Sequence, residues 1–275
     1  MNFKSKKIVV YLLFLILLLL CSCSNKIIPL ETKGTNEVQN IVEEKANNKN
    51  SDTGDLEIGD YYTLSIVNTH DIHGNDENLP VYATLIKQAR SEAKNLLVLD
   101  GGDFFKGGQF WNLQGIPEME MLNLMDYDAW VLGNHEFTVP FDNATAEDCN
   151  KQLNAITSLS KGQPLCANVK FKDGSYLDNV LPYMIKVVNG VKVGIIGITS
   201  TKPQDREMDE VSDKIFYDPN ETLINCIEDL EGKTDINILL SHTGLSVDDK
   251  MLYNYIDDDW KYGYKLAAIL GADDH

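Results

Sequence analysis

The most informative part of this chain reads Leu64-Ser65-Ile66-Val67-Asn68-Thr69-His70-Asp71-Ile72-His73-Gly74. Its first five residues form a short, mostly apolar run with β-branched side chains, which predicts a strand over Leu64–Asn68. Two histidines and an aspartate follow that strand at once, beside Gly74. In open α/β sheets, functional sites form at the carboxyl ends of the strands. We therefore expect Asp71 and His73 to lie at such a site.

The same arrangement, a strand followed by polar residues and glycine, recurs three times. Strands are predicted over Asn95–Leu99, Ala129–Leu132 and Ile236–Leu240. The polar segments that follow them are Gly101-Gly102-Asp103, Gly133-Asn134-His135-Glu136 and Ser241-His242-Thr243-Gly244. Carboxylate, imidazole and amide oxygen together form a ligand set that suits Zn, Mn or Fe. The sequence thus predicts a metal site assembled from segments that lie far apart in the chain.

Asp103 is the residue that we expect to bridge two cations. It follows an apolar strand, and the glycines of Gly101-Gly102 and Gly107-Gly108 leave little side-chain bulk around it. Two divalent cations held about 3.5–4 Å apart can bind a phosphoryl group and stabilise its charge. A carboxylate shared between the cations would offset their mutual repulsion.

Apolar runs and helix-start signals extend the pattern over the rest of the chain. Further strands are predicted over Leu165–Val169, Tyr183–Val188 and Lys192–Ile198, and helices over Pro80–Ala93, Pro117–Leu124, Thr145–Leu159, Pro219–Leu230 and Ser246–Ile256. Asn189-Gly190 between two Val-rich runs predicts a hairpin, so the sheets should be mixed. Strands that alternate with helices indicate a layered α/β domain.

The charge of the chain limits its partners. Among 275 residues, 42 are acidic and 24 are basic, which gives a formal net charge of −18. Nucleic acid is bound by clustered Lys and Arg, so this balance argues against a nucleic-acid-binding protein. Hydrophobic residues make up 43% and charged residues 24% of the chain, proportions that exclude a wholly disordered or fibrous protein.

The first residues have the features of a targeting segment. Lys4, Lys6 and Lys7 precede an apolar run, Ile8–Leu20, which is short for a membrane-spanning helix but typical of a signal peptide. The following Leu20-Cys21-Ser22-Cys23 resembles the bacterial lipobox, with a small residue before the cysteine that receives lipid. The alternative is a short membrane anchor that is never cleaved.

These features predict how the chain is divided. We expect a lipoprotein signal peptide over residues 1–22, lipid attachment at Cys23, a flexible tether over residues 23–59 and a single domain over residues 60–275. Lipidation would hold the mature protein to a bacterial membrane on its extracytoplasmic side, in the periplasm or at the cell surface.

Four of the motifs together resemble the calcineurin-like metallophosphoesterases, and most closely the bacterial 5′-nucleotidase and 2′,3′-cyclic-nucleotide 2′-phosphodiesterase branch. In chain order the motifs are Thr69-His70-Asp71-Ile72-His73-Gly74, Gly102-Asp103, Leu132-Gly133-Asn134-His135-Glu136-Phe137 and Ser241-His242-Thr243-Gly244. The resemblance implies an α/β metallophosphoesterase domain with α-β-β-α layers and mixed sheets. It also implies two divalent metal ions, Zn, Mn, Fe or Co, and hydrolysis of extracytoplasmic nucleotides or other small phosphoesters.

The resemblance also implies a role for each residue of the site. Asp71, His73 and Asp103 bind the first metal, and Asp103, Asn134 and His242 bind the second. His135 is the catalytic residue, which contacts the phosphoryl oxygens or protonates the leaving oxygen. Asn134 contacts the substrate as well.

Several positions depart from the family pattern. The family's final motif matches Gly271-Ala272-Asp273-Asp274-His275. His275 then corresponds to a ligand of the first metal, but Asp273 stands where the second metal has a histidine. Thr138 replaces an aspartate that follows the catalytic histidine, and Lys106 replaces a glutamine. The alternative for Asp273 is a solvated turn residue.

The family continues beyond this motif with further strands and a C-terminal nucleotide-binding domain. The resemblance therefore implies a C-terminally incomplete domain. Two other function classes stay open. One is a non-catalytic, truncated or decayed surface lipoprotein that binds a ligand or serves as an antigen. The other, more distant, is a sulfur-oxidation thiohydrolase of the same superfamily.

Overall fold

The computed structural model of the chain describes residues 8–12, 62–206, 208–248, 250–251 and 266–274. Its strands are β1 (Ile8–Leu12), β2 (Tyr62–Thr69), β3 (Leu96–Asp100), β4 (Ala129–Val131), β5 (Gln163–Leu165), β6 (Val169–Phe171), β7 (Tyr183–Val188), β8 (Val191–Thr199), β9 (Lys214–Phe216), β10 (Ile236–His242) and β11 (Leu266–Leu270). The α-helices with defined bounds are α1 (Leu79–Glu92), α2 (Ile116–Met125), α3 (Ala146–Leu159), α4 (Pro203–Arg206) and α5 (Pro219–Asp229).

The described strands form three sheets. The first has the order β1-β2-β3-β4-β5, and β2 to β5 run parallel to one another. The second has the order β11-β10-β8-β7, in which β7 is antiparallel to β8 across the Asn189-Gly190 turn. β6 and β9 form a small antiparallel pair. The prediction of mixed sheets is confirmed.

The two larger sheets pack face to face. β4 and β5 of the first sheet contact β8 of the second. α1 packs on β3 and on α2, which in turn contacts α3, so these three helices cover the outer face of the first sheet. α5 packs on β8 and covers the second sheet. The order of layers is therefore α-β-β-α, as the resemblance implies.

Burial on both faces explains the apolar runs of the central strands. Leu97, Val98 and Leu99 of β3 are fully buried, because one face of β3 meets the helices and the other meets the second sheet. Gly197 on β8 permits the close contact between the sheets. A Cβ atom at Gly197 would lie 2.4 Å from the Cβ atom of Leu165 on β5.

Four of the helices, α1, α2, α3 and α5, begin within one residue of their predicted starts. α1, α2 and α5 each have proline within their first two positions, where the missing N–H group is not needed. α3 is preceded by Thr145, whose hydroxyl accepts a hydrogen bond from the backbone N–H of Asp148. The carboxylate of Asp148 accepts one from the N–H of Thr145 in return, which completes a capping box.

One strand prediction is wrong. Leu165–Val169 is not continuous, because β5 ends at Leu165 and β6 begins at Val169. Between them the side chain of Asn168 accepts a hydrogen bond from the N–H of Thr199 and donates one to its carbonyl oxygen. This side chain ties the turn to the end of β8. The short strand β9, the strand β11 and the four-residue helix α4 are additional to the prediction.

Several predictions fall on residues outside the described ranges. The tether, Cys23, His275 and part of the helix predicted over Ser246–Ile256 lie there, although residues 245–248 and 250–251 are helical. Of the predicted signal peptide only Ile8–Leu12 is described, as the edge strand β1. The signal peptide and the lipid attachment remain predictions. Within the described residues, no helix combines the length and the apolar character needed to cross a bilayer.

Candidate metal centre

The two packed sheets bring the predicted site residues together at the carboxyl ends of their strands. Asp71 and His73 follow β2, and Asp103 follows β3. Asn134 and His135 follow β4, His242 is the last residue of β10, and Asp273 follows β11. The convergence expected from the sequence is therefore observed. His275 lies outside the described residues.

Asp103 lies at the centre of this group. Its Oδ2 atom is 3.2 Å from Nε2 of His242, 3.7 Å from Nε2 of His73 and 3.9 Å from Nε2 of His135. The Oδ1 atom of Asp71 is 3.8 Å from Nε2 of His73 and 3.9 Å from Nε2 of His242. Two sets of potential ligands result, one with Asp71 and His242 and one with His73 and His135, and both contain Asp103.

Hydrogen bonds fix the orientation of two imidazole rings. Nδ1 of His242 lies 2.6 Å from the carbonyl oxygen of Gly101, and Nδ1 of His73 lies 3.1 Å from that of Lys106. A carbonyl oxygen only accepts, so each Nδ1 carries a proton and donates it. In the neutral form neither Nε2 atom carries a proton, and both face the carboxylates.

The charges and acceptor atoms around Asp103 favour a bound cation. In the neutral tautomer, Nε2 of His242 and Oδ2 of Asp103 are two acceptors that face each other. Burial alone lowers the pKa of His242, but the carboxylates of Asp103 and Asp71 outweigh burial and raise the pKa to about 9. The buried Oδ1 atoms of Asp71 and Asn134 make no hydrogen bond with the described residues. These donor atoms fit a divalent cation.

The backbone around the site is strained, and glycine permits its close approaches. Asp71, His73 and Asp103 all have positive φ values, between 49° and 56°, which non-glycine residues rarely adopt. The loops that carry them are joined by backbone hydrogen bonds, such as that from the N–H of His73 to the carbonyl of Asp103. A Cβ atom at Gly133 would lie 2.1 Å from Oδ1 of Asp103, so only glycine fits there.

Glu136 holds two of the ligand-bearing loops together. This fully buried carboxylate accepts hydrogen bonds from the backbone N–H groups of Gly133, Asp103 and Phe104, at 2.5, 3.0 and 3.2 Å. Gly133 belongs to the loop after β4, and the other two donors belong to the loop after β3. The sequence motif includes Glu136, but its role as a brace depends on contacts that the sequence does not show.

His135 has an unexpected neighbour in Lys106. Nζ of Lys106 lies 2.7 Å from Nδ1 of His135, and the Oγ1 atom of Thr138 lies 3.4 Å from the same nitrogen. Burial and the Lys106 ammonium lower the pKa of His135 to about 4, against the opposite effect of Asp103. A neutral His135 that accepts at Nδ1 carries its proton on Nε2, the nitrogen that faces Asp103.

Asp273 belongs to the site and is not a solvated turn residue. Its side chain is only 7% exposed, and its Oδ1 atom lies 3.8 Å from Nε2 of His242. Its backbone N–H donates to Oδ2 of Asp71 at 3.0 Å, which ties the end of β11 to the loop after β2. Its Oδ2 atom accepts from Nζ of Lys202 at 2.5 Å. Lys202 lies outside every sequence motif of the site, 71 residues from its partner.

The chain is similar in sequence to known nucleotidases. A snake venom 5′-nucleotidase of Crotalus adamanteus is 32% identical over 213 residues, which are 69% of this chain and 34% of that protein. The 2′,3′-cyclic-nucleotide 2′-phosphodiesterase/3′-nucleotidase of Salmonella typhimurium is 29% identical over 241 residues, 76% of this chain and 35% of that protein. The chain thus spans about a third of the length of these relatives.

The fold of the chain matches a solved 5′-nucleotidase structure, and its sequence matches a family model. The 5′-nucleotidase precursor of Thermus thermophilus superimposes with a TM-score of 0.63 and 26% identity, over 76% of this chain and 41% of that one. Residues 64–275 match the calcineurin-like phosphoesterase family, and they include every ligand of the centre described above. The chain therefore belongs to the calcineurin-like phosphoesterases, a family of metal-dependent phosphoester hydrolases.

Proposed function

We propose that this protein hydrolyses small phosphoesters, nucleotides among them, with two divalent cations. The observation that carries the proposal is the position of Asp103, whose Oδ2 atom lies 3.2–3.9 Å from the Nε2 atoms of His242, His73 and His135. A carboxylate surrounded in this way can serve two neighbouring cation sites. Zn, Mn, Fe and Co all suit this set of donor atoms.

Residues from both sheets would hold the cations. His73 and Asp103 would bind the first, and Asp103 would share the second with the amide oxygen of Asn134, His242 and Asp273. Asp71 is within 4 Å of both His73 and His242, and the resemblance to the family assigns it to the first cation. When bound, divalent cations polarise a phosphoryl group and stabilise the charge that develops on its oxygens.

The remaining polar groups orient the substrate. The Nε2–H of His135 faces the same space as the ligands, so it would donate a hydrogen bond to a phosphoryl oxygen or to the leaving oxygen. Lys106 holds the ring in this tautomer through Nδ1. The backbone brace at Glu136 keeps His135 and Asp103 at a constant separation, which phosphoryl transfer requires.

The names of the relatives support nucleotides as the substrate class. Those relatives are named 5′-nucleotidase and cyclic-nucleotide phosphodiesterase, and the match covers the part of each that aligns with the metal centre of this chain. Since the chain spans about a third of their length, the base and the position of the phosphate are left open.

The proposed place of action is the extracytoplasmic face of a bacterial membrane. The support is the order of Lys4, Lys6 and Lys7, the apolar run Ile8–Leu20 and the small residue before Cys23. A lipid at Cys23 would tether the domain through residues 24–59 and give it access to nucleotides outside the cytoplasm.

The decisive experiment measures metal content and phosphate release together. The full-length protein, purified in detergent and loaded with Mn, should bind about two ions and release phosphate from 5′-nucleotides and from an aryl phosphate. Asp103→Asn should abolish release. Asp142→Asn removes an exposed acid and is the matched control. Two bound ions without hydrolysis of any phosphoester would instead support the non-catalytic surface lipoprotein.

A further inference from the structure

The two carboxylate oxygens of Asp273 face different groups. Its Oδ1 atom points toward the metal centre, 3.8 Å from Nε2 of His242. Its Oδ2 atom contacts Nζ of Lys202 at 2.5 Å. Asp273 thus joins the metal centre to a lysine at the end of β8, and the hydrogen bond from its backbone to Asp71 keeps it in place.

An aspartate at this position changes the charge of the centre. Asp71 and Asp103 already bring two carboxylates to the cations, and Asp273 brings a third. Each carboxylate cancels one unit of the positive charge that attracts a phosphate dianion. A neutral ligand at the same position would not reduce that charge.

The ammonium group of Lys202 lies where it can offset the negative charge of Asp273. Its side chain is 39% exposed, whereas that of Asp273 is 7% exposed, so the pair has one end in the site and one end open to solvent. Lys202 lines a cleft of about 270 Å³, together with Ser200, Thr243 and two acidic residues, Asp273 and Asp274. An anion that enters the cleft can therefore approach the ammonium group.

We propose that Lys202 is a determinant of phosphate affinity, because its ammonium offsets the negative charge of Asp273 at the edge of the metal centre. The inference rests on the proposed function, since it concerns the anion that the metal centre would bind. Asp273 and Lys202 together then act as a neutral ligand whose charge is balanced within the protein.

A purely structural ion pair is the competing explanation. Lys202 follows β8 and Asp273 follows β11. In this explanation the ion pair stabilises the second sheet by joining the segments after these two strands, and it has no effect on phosphate binding. The two explanations predict different results when the ion pair is replaced. If charge is what matters, a neutral pair of another composition should bind phosphate as the parent does. If the ion pair is only structural, removal of the contact should lower the stability of the protein and leave its phosphate affinity unchanged.

The test is a set of variants that differ in charge, measured by calorimetric titration of the Mn-loaded full-length protein with inorganic phosphate. Lys202→Met should weaken phosphate binding about tenfold, while Lys202→Arg should stay within about twofold of the parent. The double variant Lys202→Met with Asp273→His has no charge at either position, and it should bind phosphate about fivefold or more tightly than Lys202→Met alone. Lys233→Met, at the opposite end of β10, controls for the loss of one exposed charge.

Metal affinity, measured by chelator competition, is followed in the same variants. Lys202→Met should keep both ions, so that its loss of phosphate binding cannot come from loss of metal. Loss of an ion from this variant, or a double variant as weak as Lys202→Met, would overturn the proposal. A parent protein that binds two ions and hydrolyses phosphoesters but shows no effect of Lys202 refutes this role alone. A parent that binds no ions refutes the proposed function itself.

Discussion

Nζ of Lys106 lies 2.7 Å from Nδ1 of His135, so an ammonium group supports the imidazole that faces the metal centre. An ammonium group can only donate, and Nδ1 must accept. The single proton of the neutral ring is then on Nε2. A carboxylate at Nδ1 would favour the charged imidazolium, whereas Lys106 disfavours it. His135 is therefore suited to donate a hydrogen bond without carrying a positive charge.

Lys106→Met should impair the enzyme selectively for poor leaving groups. Without the ammonium, Nδ1 of His135 can carry the proton, and the donor that faces the leaving oxygen is lost in part of the population. We expect kcat to fall about tenfold or more for an alkyl phosphate, and by less than about threefold for an aryl phosphate with a good leaving group. Lys172→Met, at an exposed position, is the control. An equal loss for both substrates would contradict the assigned role.

Asp103→Asn and His73→Ala should differ in metal content. Asp103 lies within 4 Å of three imidazoles and is the shared ligand of the proposed centre, so its amide variant should retain about none of the two ions. His73 serves one cation, and its alanine variant should retain about one. Inductively coupled plasma mass spectrometry of the purified proteins measures both. A full complement of metal in Asp103→Asn would refute the bridging role.

Glu118→Gln should stabilise the protein above neutral pH. Glu118, in the first turn of α2, is 2% exposed, and no other described residue donates a hydrogen bond to its carboxylate oxygens. Burial, followed by the nearby Asp76 carboxylate, raises the pKa of Glu118 from 4.5 to about 7. The folded state therefore holds this proton more tightly than the unfolded state, and its stability falls as pH rises from 4.5 to 7.

Urea unfolding at pH 5 and pH 8 measures this effect. The amide removes the buried charge, so the free energy of unfolding should rise by about 2–3 kcal/mol at pH 8 and change little at pH 5. Glu120→Gln, exposed on the same helix, should change it by less than about 0.5 kcal/mol at either pH. An equal effect of Glu118→Gln at both pH values would mean that the carboxylate is not the cause.

Cys23→Ala should release the protein from the membrane fraction or leave it as an uncleaved precursor. Cys23 follows the small Ser22, whereas Cys21 follows the bulky Leu20, so Cys21→Ala is the matched control and should behave as the parent does. Metabolic labelling with a fatty acid, followed by fractionation, gives the readout. Unchanged labelling of Cys23→Ala would exclude this residue as the lipid acceptor.

The sequence predicts most of this fold because buried parallel strands have a simple pattern. β3 and β10 are largely apolar, and both were identifiable from their side chains alone. The candidate ligands were identifiable because they follow such strands beside glycine. The break between β5 and β6 was not, because it depends on the pairing of Asn168 with Thr199, 31 residues away.

The contacts of Lys106 and Lys202 with the site residues could not be predicted from the sequence either. Lys106 and His135 are 29 residues apart, and Lys202 and Asp273 are 71 residues apart. Each lysine belongs to a loop with no periodic pattern, where a charged residue is usually solvated. Only the packing of the two sheets brings these ammonium groups next to their partners.

The close packing of Gly197 against Leu165 bears on the spacing of the residues at the metal centre. The first sheet carries Asp103, the second carries His242, and the separation of the sheets sets the width of the space between these two ligands. A methyl group at position 197 would force the sheets apart and widen that space without altering any ligand. The spacing of Asp103 and His242 is then maintained in the apolar interior, by a glycine outside the site.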